Sequence, residues 1–304
     1  MLHSTNQFDA SACHGCGLCS MVCPVYQQGG DVMHTPHGWA RRMQSAGELD
    51  PEEVMVCMLC GACAPVCPQD IDMMQMLVAY RQDTQDHTPV AALAEAPARQ
   101  KGKVVFIGDR CCADDAAYRE KILHLLHGQH AVMASDQGQD ISEAMQAGRK
   151  VSHARLHQFL GTLQGVKKII ISDGLLQMLI RDKLPQISME SLGRLISSHT
   201  EVRRRITADD YYVLDSQSYH ADYERAVLYY DNLQQQTACE LSRDLHRLAM
   251  PTGALSSSRF SQPGQVEWLM AGRKARRIIV ESLADYYLLA EQCDRPVVHI
   301  TEIL

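Results

Sequence analysis

Two stretches of this chain carry thiols at a spacing that sets their chemistry. The first is Cys13-His14-Gly15-Cys16-Gly17-Leu18-Cys19-Ser20-Met21-Val22-Cys23-Pro24. The second is Cys57-Met58-Leu59-Cys60-Gly61-Ala62-Cys63-Ala64-Pro65-Val66-Cys67-Pro68. Both read C-x2-C-x2-C-x3-C-P. Three thiolates on one tight loop can each grip a different iron of a 4Fe–4S cubane, while the fourth leads into proline and serves the other cluster. The spacing therefore assigns Cys13, Cys16, Cys19 and Cys67 to a first cluster. It assigns Cys57, Cys60, Cys63 and Cys23 to a second. A pair of zinc sites is the competing reading, but zinc knuckles favour paired CxxC units without the third cysteine and the proline. A disulfide framework fits less well still.

The remaining thiols are less telling. Cys111 and Cys112 form a vicinal pair after an apolar run. They read either as redox-active thiols or as two small buried residues. Cys239, in a stretch expected to be helical over 237–248, and Cys293 read as structural. His14 sits inside the first motif, where it either hydrogen-bonds a cluster sulfur or is simply solvated. The 14 histidines contain no HExxH. No Walker loop appears, and the glycines near Gly29-Gly30 and Gly108 do not follow the dinucleotide pattern. Flavin or nucleotide would therefore belong to another subunit.

The elements that must position these thiols fall into two kinds. Around the motifs the chain reads as helical. Trp39-Ala40-Arg41-Arg42-Met43 suggests a short helix, and Asp50 before Pro51 suggests a cap and first turn leading through 52–56 to Cys57. Eight methionines lie between Met21 and Met76, and their adaptable thioethers suit packing near bulky clusters. Residues 83–101 read as a linker. Beyond it the pattern changes to apolar, β-branched runs separated by helical stretches. Strands are expected at 103–108, 131–133, 168–172, 211–214, 277–281 and 297–300, with a helix over 114–126. This alternation predicts a mostly parallel α/β region. Lys167-Lys168-Ile169-Ile170-Ile171-Ser172 resembles Arg276-Arg277-Ile278-Ile279-Val280-Glu281, and Ile187 to Leu192 resembles His299 to Leu304. The expected organisation is thus α+α/β: a helical ferredoxin domain with two 4Fe–4S clusters over 1–97, then a duplicated α/β domain in halves 98–206 and 207–304.

Composition excludes several classes. The chain of 304 residues is 46% apolar and 21% charged. No run approaches the ~18 apolar residues of a membrane-spanning helix, and the polar first residues lack a signal-peptide core. Twelve cysteines, most in cluster motifs, imply a reducing cytoplasm, with peripheral attachment to the inner face of the membrane left to partners. The excess of carboxylates behind the formal net charge of −7 lies in residues 1–97, where they outnumber Arg41, Arg42 and Arg81. That surface is either merely solvated or steers a basic partner. Basic residues do not cluster with aromatics, so nucleic acid is not expected.

Two cubane motifs followed by a duplicated α/β region resemble the C-type and fused subunits of heterodisulfide reductase. They also resemble the iron–sulfur subunits of anaerobic glycerol-3-phosphate dehydrogenase and of glycolate oxidase. The resemblance implies cysteines at three places in each α/β half: after the first strand, in a CCG turn, and in a later C-x-x-C. Here the first place keeps Cys111-Cys112, but the first strand of the second half ends Leu214-Asp215-Ser216-Gln217. The turns read Ser135-Asp136-Gln137-Gly138 and Pro251-Thr252-Gly253-Ala254, and the C-x-x-C sites read Ser172-Asp173-Gly174-Leu175 and Glu281-Ser282-Leu283-Ala284. These halves are expected to keep the fold without a third cluster. The resemblance implies an electron-transfer subunit. It would pass single electrons between a flavin-bearing dehydrogenase subunit and a quinone, heterodisulfide or ferredoxin-type partner, with a membrane-bound quinone-reactive subunit among the candidates. The alternatives are a disulfide or persulfide reductase using Cys111 and Cys112, and a cluster-based redox sensor.

Overall fold

Caps and glycines punctuate the thiol-bearing region. The computed structural model describes residues 10–84, 88–254 and 264–303. Over 10–84 it contains helices α1 (Leu18–Met21), α2 (Pro24–Gly29), α3 (Pro36–Ala46), α4 (Pro51–Val54) and α5 (Met73–Thr84), with no strand among the described residues. Thr35 caps α3 by accepting from the Gly38 N–H, Pro36 opens it, and Gly47 ends it at φ 77°. The expected helix at 39–43 is thus the middle of a longer one. Asp50 accepts from the Glu52 N–H ahead of Pro51, as the sequence predicts, but α4 stops at Val54. Gly38 lets α3 lie against the preceding turn, where a Cβ would collide with the Val32 carbonyl.

From Val104 onward strands and helices alternate. The first half holds β1 (Val104–Ile107), α6 (Arg110–Asp114), α7 (Ala116–Leu125), β2 (Ala131–Met133), α8 (Gln139–Ala147), α9 (His153–Leu163), β3 (Lys168–Ile171), α10 (Gly174–Lys183), β4 (Met189–Ser191), α11 (Leu192–Ser197) and α12 (Thr200–Arg205). The second holds β5 (Asp210–Val213), α13 (Ser216–Ala221), α14 (Tyr223–Thr237), β6 (Glu240–Leu241), α15 (Gln265–Met270), β7 (Arg277–Val280), α16 (Leu283–Gln292) and β8 (Val297–His299). Two four-stranded sheets result, ordered β2-β1-β3-β4 and β6-β5-β7-β8, with every pairing parallel.

The sequence-based expectation misses β4 and β6, because Met189-Glu190-Ser191 and Glu240-Leu241 lack the apolar run that marks the equally short β2 and β8. It also runs one helix from 114 to 126 where the chain makes two, because Asp115 ends α6 and caps α7 by accepting from the Tyr118 N–H. The helix expected over 237–248 is not there. Ala238 closes α14 in the left-handed region at φ 57°, and Cys239 leads into β6.

Strand alternation sorts the side chains into layers. Val105, Ile107, Ile169 and Ile171 share a core with Leu59, Met74 and Val78, so α5 and the second thiol loop lie on the outer face of the first sheet. Phe106 and Ile170 point the other way and meet Tyr212, Leu214 and Ile279, giving the two sheets one common core. Tyr211, Val213, Ile278 and Val280 pack on Leu269 and Leu289 behind the second sheet. Each such aliphatic side chain is worth roughly 1.5–3 kcal/mol when fully buried.

Candidate metal centre

The two thiol loops are built alike but finished differently. In the first, Gly15 and Gly17 take φ 82° and 77°, which only glycine adopts without strain. Gln44 on α3 holds this loop by donating to the Ala10 and Cys13 carbonyls, at 2.7 Å each. In the second, Gly61 takes φ 82°, but the position equivalent to Gly15 is Leu59, at φ 50°. A branched residue there is strained and must be held by its surroundings.

The structure brings Cys13, Cys16, Cys19 and Cys67 around one cavity, with Pro36, His37, Ala40 and Met73 among its walls. His14 also lines it. Cys16 is exposed and the other three are half-buried. Cys23, Cys60 and Cys63 are buried, and Cys57 is half-buried. Burial pushes the Cys63 thiol well up, and Cys57, Cys60, Cys23 and Cys19 would each repel its thiolate. Cys63 thus stands among the second set while still sensing Cys19 of the first.

Burial likewise pushes Cys19 up to about 11, and Cys23 and Cys60 up to about 12. For Cys23, the Tyr26 and Val25 N–H groups in the first turn of α2 pull part of the way back. Such thiols stay protonated until a cation replaces the proton, which is what iron supplies. No three His, Cys, Asp or Glu side chains among the described residues converge as ligands of a single ion do.

Arg81 was missed by the sequence reading. It is 1% exposed on α5 and donates to the Val54 and Cys57 carbonyls at 2.8 and 2.7 Å, and to the Gln146 carbonyl of α8. It also opposes the upward push of burial on the Cys57 thiol. A lone arginine after Met-Met-Gln-Met-Leu-Val-Ala-Tyr is the only signal the sequence offers. His220 was missed too. It comes from the second α/β half, and its Nδ1 lies 2.6 Å from the Cys60 carbonyl. Burial holds its imidazole down at about 4, so it is neutral.

Cys111 and Cys112 open α6. Cys112 is 1% exposed against the core, and Cys111 lines a cavity of about 310 Å³ between the halves. Burial, then Asp109, pushes these thiols up to about 11 and 12. An attacking thiol needs the opposite shift. Cys239 is buried and Cys293 half-buried.

The places where the resemblance implies further cysteines are occupied by caps. Asp109, Asp173, Asp215 and Ser282 accept from N–H groups in the first turns of α6, α10, α13 and α16. Gln137 accepts from the Gly108 N–H at 2.8 Å and donates to the Ala134 carbonyl at 2.7 Å. Thr252 hydrogen-bonds Asp285. Glu281 accepts from the hydroxyls of Tyr212 and Tyr230 and from the Asp215 N–H.

Comparison with known proteins agrees with the thiol pattern. Residues 9–71 match the 4Fe-4S dicluster domain. Over 77 residues the chain is 34% identical to the probable glycolate oxidase iron-sulfur subunit of Bacillus subtilis (strain 168). That alignment covers 23% of this chain and 17% of the relative, so the chain matches well under two thirds of that protein's length. No solved structure matches the chain. No helix among the described residues is long and apolar enough to cross a membrane. The thiol-bearing region is thus similar to a 4Fe–4S dicluster domain, and over 77 residues the chain is similar to a probable glycolate oxidase iron-sulfur subunit.

Proposed function

We propose that the chain is an electron-transfer subunit carrying two cubanes, the first on Cys13, Cys16, Cys19 and Cys67, the second on Cys57, Cys60, Cys63 and Cys23. The observation that carries this reading is the cavity walled by three thiols of one motif and the fourth of the other. Shared use of the fourth cysteines keeps the clusters close enough for single electrons to pass between them. Cys16 is exposed, so the first cluster is the one that meets a partner at the surface. The second lies inward, beneath the α/β halves. Its electrons would come from, or go to, a flavin-bearing dehydrogenase subunit on one side and a quinone, heterodisulfide or ferredoxin-type partner on the other. The α/β halves, with caps where the resemblance implies thiols, act as the scaffold that holds the clusters against those partners.

The test is anaerobic reconstitution of the full chain with a count of iron and an electron paramagnetic resonance spectrum. About eight irons per chain and two interacting cubane signals are expected. In Cys67→Ser the first cluster is lost or altered while the second keeps its signal, and iron falls by about half. Zinc at these thiols, or loss of the second cluster instead of the first, would overturn the assignment.

A further inference from the structure

His220 lies far from both thiol motifs in the chain, yet it touches the second one. A carbonyl only accepts, so the 2.6 Å contact between Nδ1 and the Cys60 carbonyl places the proton on Nδ1. The approach is close enough that a Cβ on Gly61 would stand 2.7 Å from His220 Cβ, which requires glycine here on steric grounds as well as for its φ of 82°. The residue before Cys60 is the strained Leu59. The ring is itself fixed: it stacks on Tyr223 at 6.1 Å between centroids and meets Tyr219 edge-on at 5.2 Å. Tyr219 in turn donates to the Arg247 carbonyl at 2.7 Å. The first loop has a histidine of its own, His37, whose Nε2 would lie 3.7 Å from a Cβ on Gly15. That histidine comes from the neighbouring α3, whereas the second loop takes its support from the other end of the chain.

We infer that His220 is a positioning residue for the second cluster. Its Nδ1–H bond to the Cys60 carbonyl holds the Cys57–Cys63 loop in the strained shape that points three thiolates at one cluster. The second α/β half is therefore part of the redox centre and sets its potential and its retention of iron, because backbone geometry and hydrogen bonding around ligating sulfurs tune both. This inference rests on the two-cluster reading above.

Two substitutions in the full chain separate donor from ring. His220→Phe keeps a ring beside Tyr223 and removes the donor. His220→Asn removes the ring and keeps an N–H close to the place of Nδ1. Both are reconstituted anaerobically and compared with the unaltered protein by redox titration followed by electron paramagnetic resonance, and by the rate of iron release to a chelator. In His220→Phe one of the two reduction midpoints is expected to move and iron to leave one cluster about tenfold faster, as fits the loss of one buried hydrogen bond. His220→Asn should stay near the unaltered protein on both measures. If His220→Phe behaves as the unaltered protein, or if only His220→Asn is impaired, His220 acts by packing and the inference is wrong. If the unaltered protein shows no cubanes at all, the two-cluster reading fails, and this one with it.

Discussion

At the scale of single residues, the buried charges decide most. Arg81 places a guanidinium under the second thiol loop and satisfies three carbonyls from α4, the Cys57 turn and α8. Arg81→Met removes all three bonds and leaves the Val54 carbonyl with only the Cys57 N–H. It should cost about 3–5 kcal/mol in denaturant unfolding and speed loss of the second cluster. Glu281 is a second case. Burial pushes its carboxyl from 4.5 up to about 7, with the Tyr230, Tyr212 and Asp215 N–H bonds pulling the other way. The folded state therefore prefers the protonated acid. That preference stabilises fully below pH 4.5 and is lost as pH rises through about 7. Glu281→Gln imitates the protonated form, so it should match the unaltered protein near pH 5. Above pH 8 it should be more stable by on the order of 2–3 kcal/mol. Unfolding curves of both proteins between pH 5 and 9 check this, and equal slopes with pH would count against it. Burial acts in the same direction on Asp285 and Asp109, raised to about 8 and 7, so Glu281→Gln should keep some pH dependence of its own.

At the scale of elements, the helices that follow β1, β3, β5 and β7 begin with capping side chains where the strands end. The N-terminus of α10 comes so close to α13 that a Cβ on Gly174 would lie 2.6 Å from the Ser218 N and collide with the Gln217 side chain. Gly174→Ala should therefore force α10 from α13 and cost about 3 kcal/mol, the upper end of overpacking penalties. Because α13 carries His220, the same change should also disturb the second cluster while leaving the first intact. A differential loss of cluster signals reads this out. Arg181 and Arg194 of the first half both pair with Asp222, between α13 and α14, at 2.9 Å. The position of α13 is thus fixed from the first half as well as the second.

At the scale of the molecule, the thiol-bearing region and the first sheet share a core. Met74, Val78 and Leu59 pack with the strand side chains Val105, Ile107, Ile169 and Ile171 and with the helices beside them. A shortened chain of residues 1–97 would expose that face and lose both Gln146 and His220 as supports. It should take up iron poorly and aggregate. A soluble fragment with a full complement of clusters would show that the α/β halves are dispensable to the centre. The stretch between the two regions is not free either: Val90 bridges Val151, and the Leu93 N–H donates to Gln158 at 2.8 Å.

The thiol spacing by itself determined the chemistry, because each loop is short and local sequence dictates its turns. The central strands were equally legible, since runs such as Ile169-Ile170-Ile171 are apolar on both faces and match their counterparts Ile278-Ile279-Val280. Two of the edge strands were not: β4 (Met189-Glu190-Ser191) and β6 (Glu240-Leu241) carry polar residues where β2 and β8 carry an apolar run, and Asp115 and Ala238 end helices through side-chain capping and backbone handedness that apolar patterning does not report. Arg81 and His220 lay beyond reach for a different reason. What each does depends on carbonyls that fold up against it from sequence positions 24 or more residues away: the packing of α5 against α4 and the second thiol loop brings them to Arg81, and the packing of the second α/β half against that loop brings one to His220.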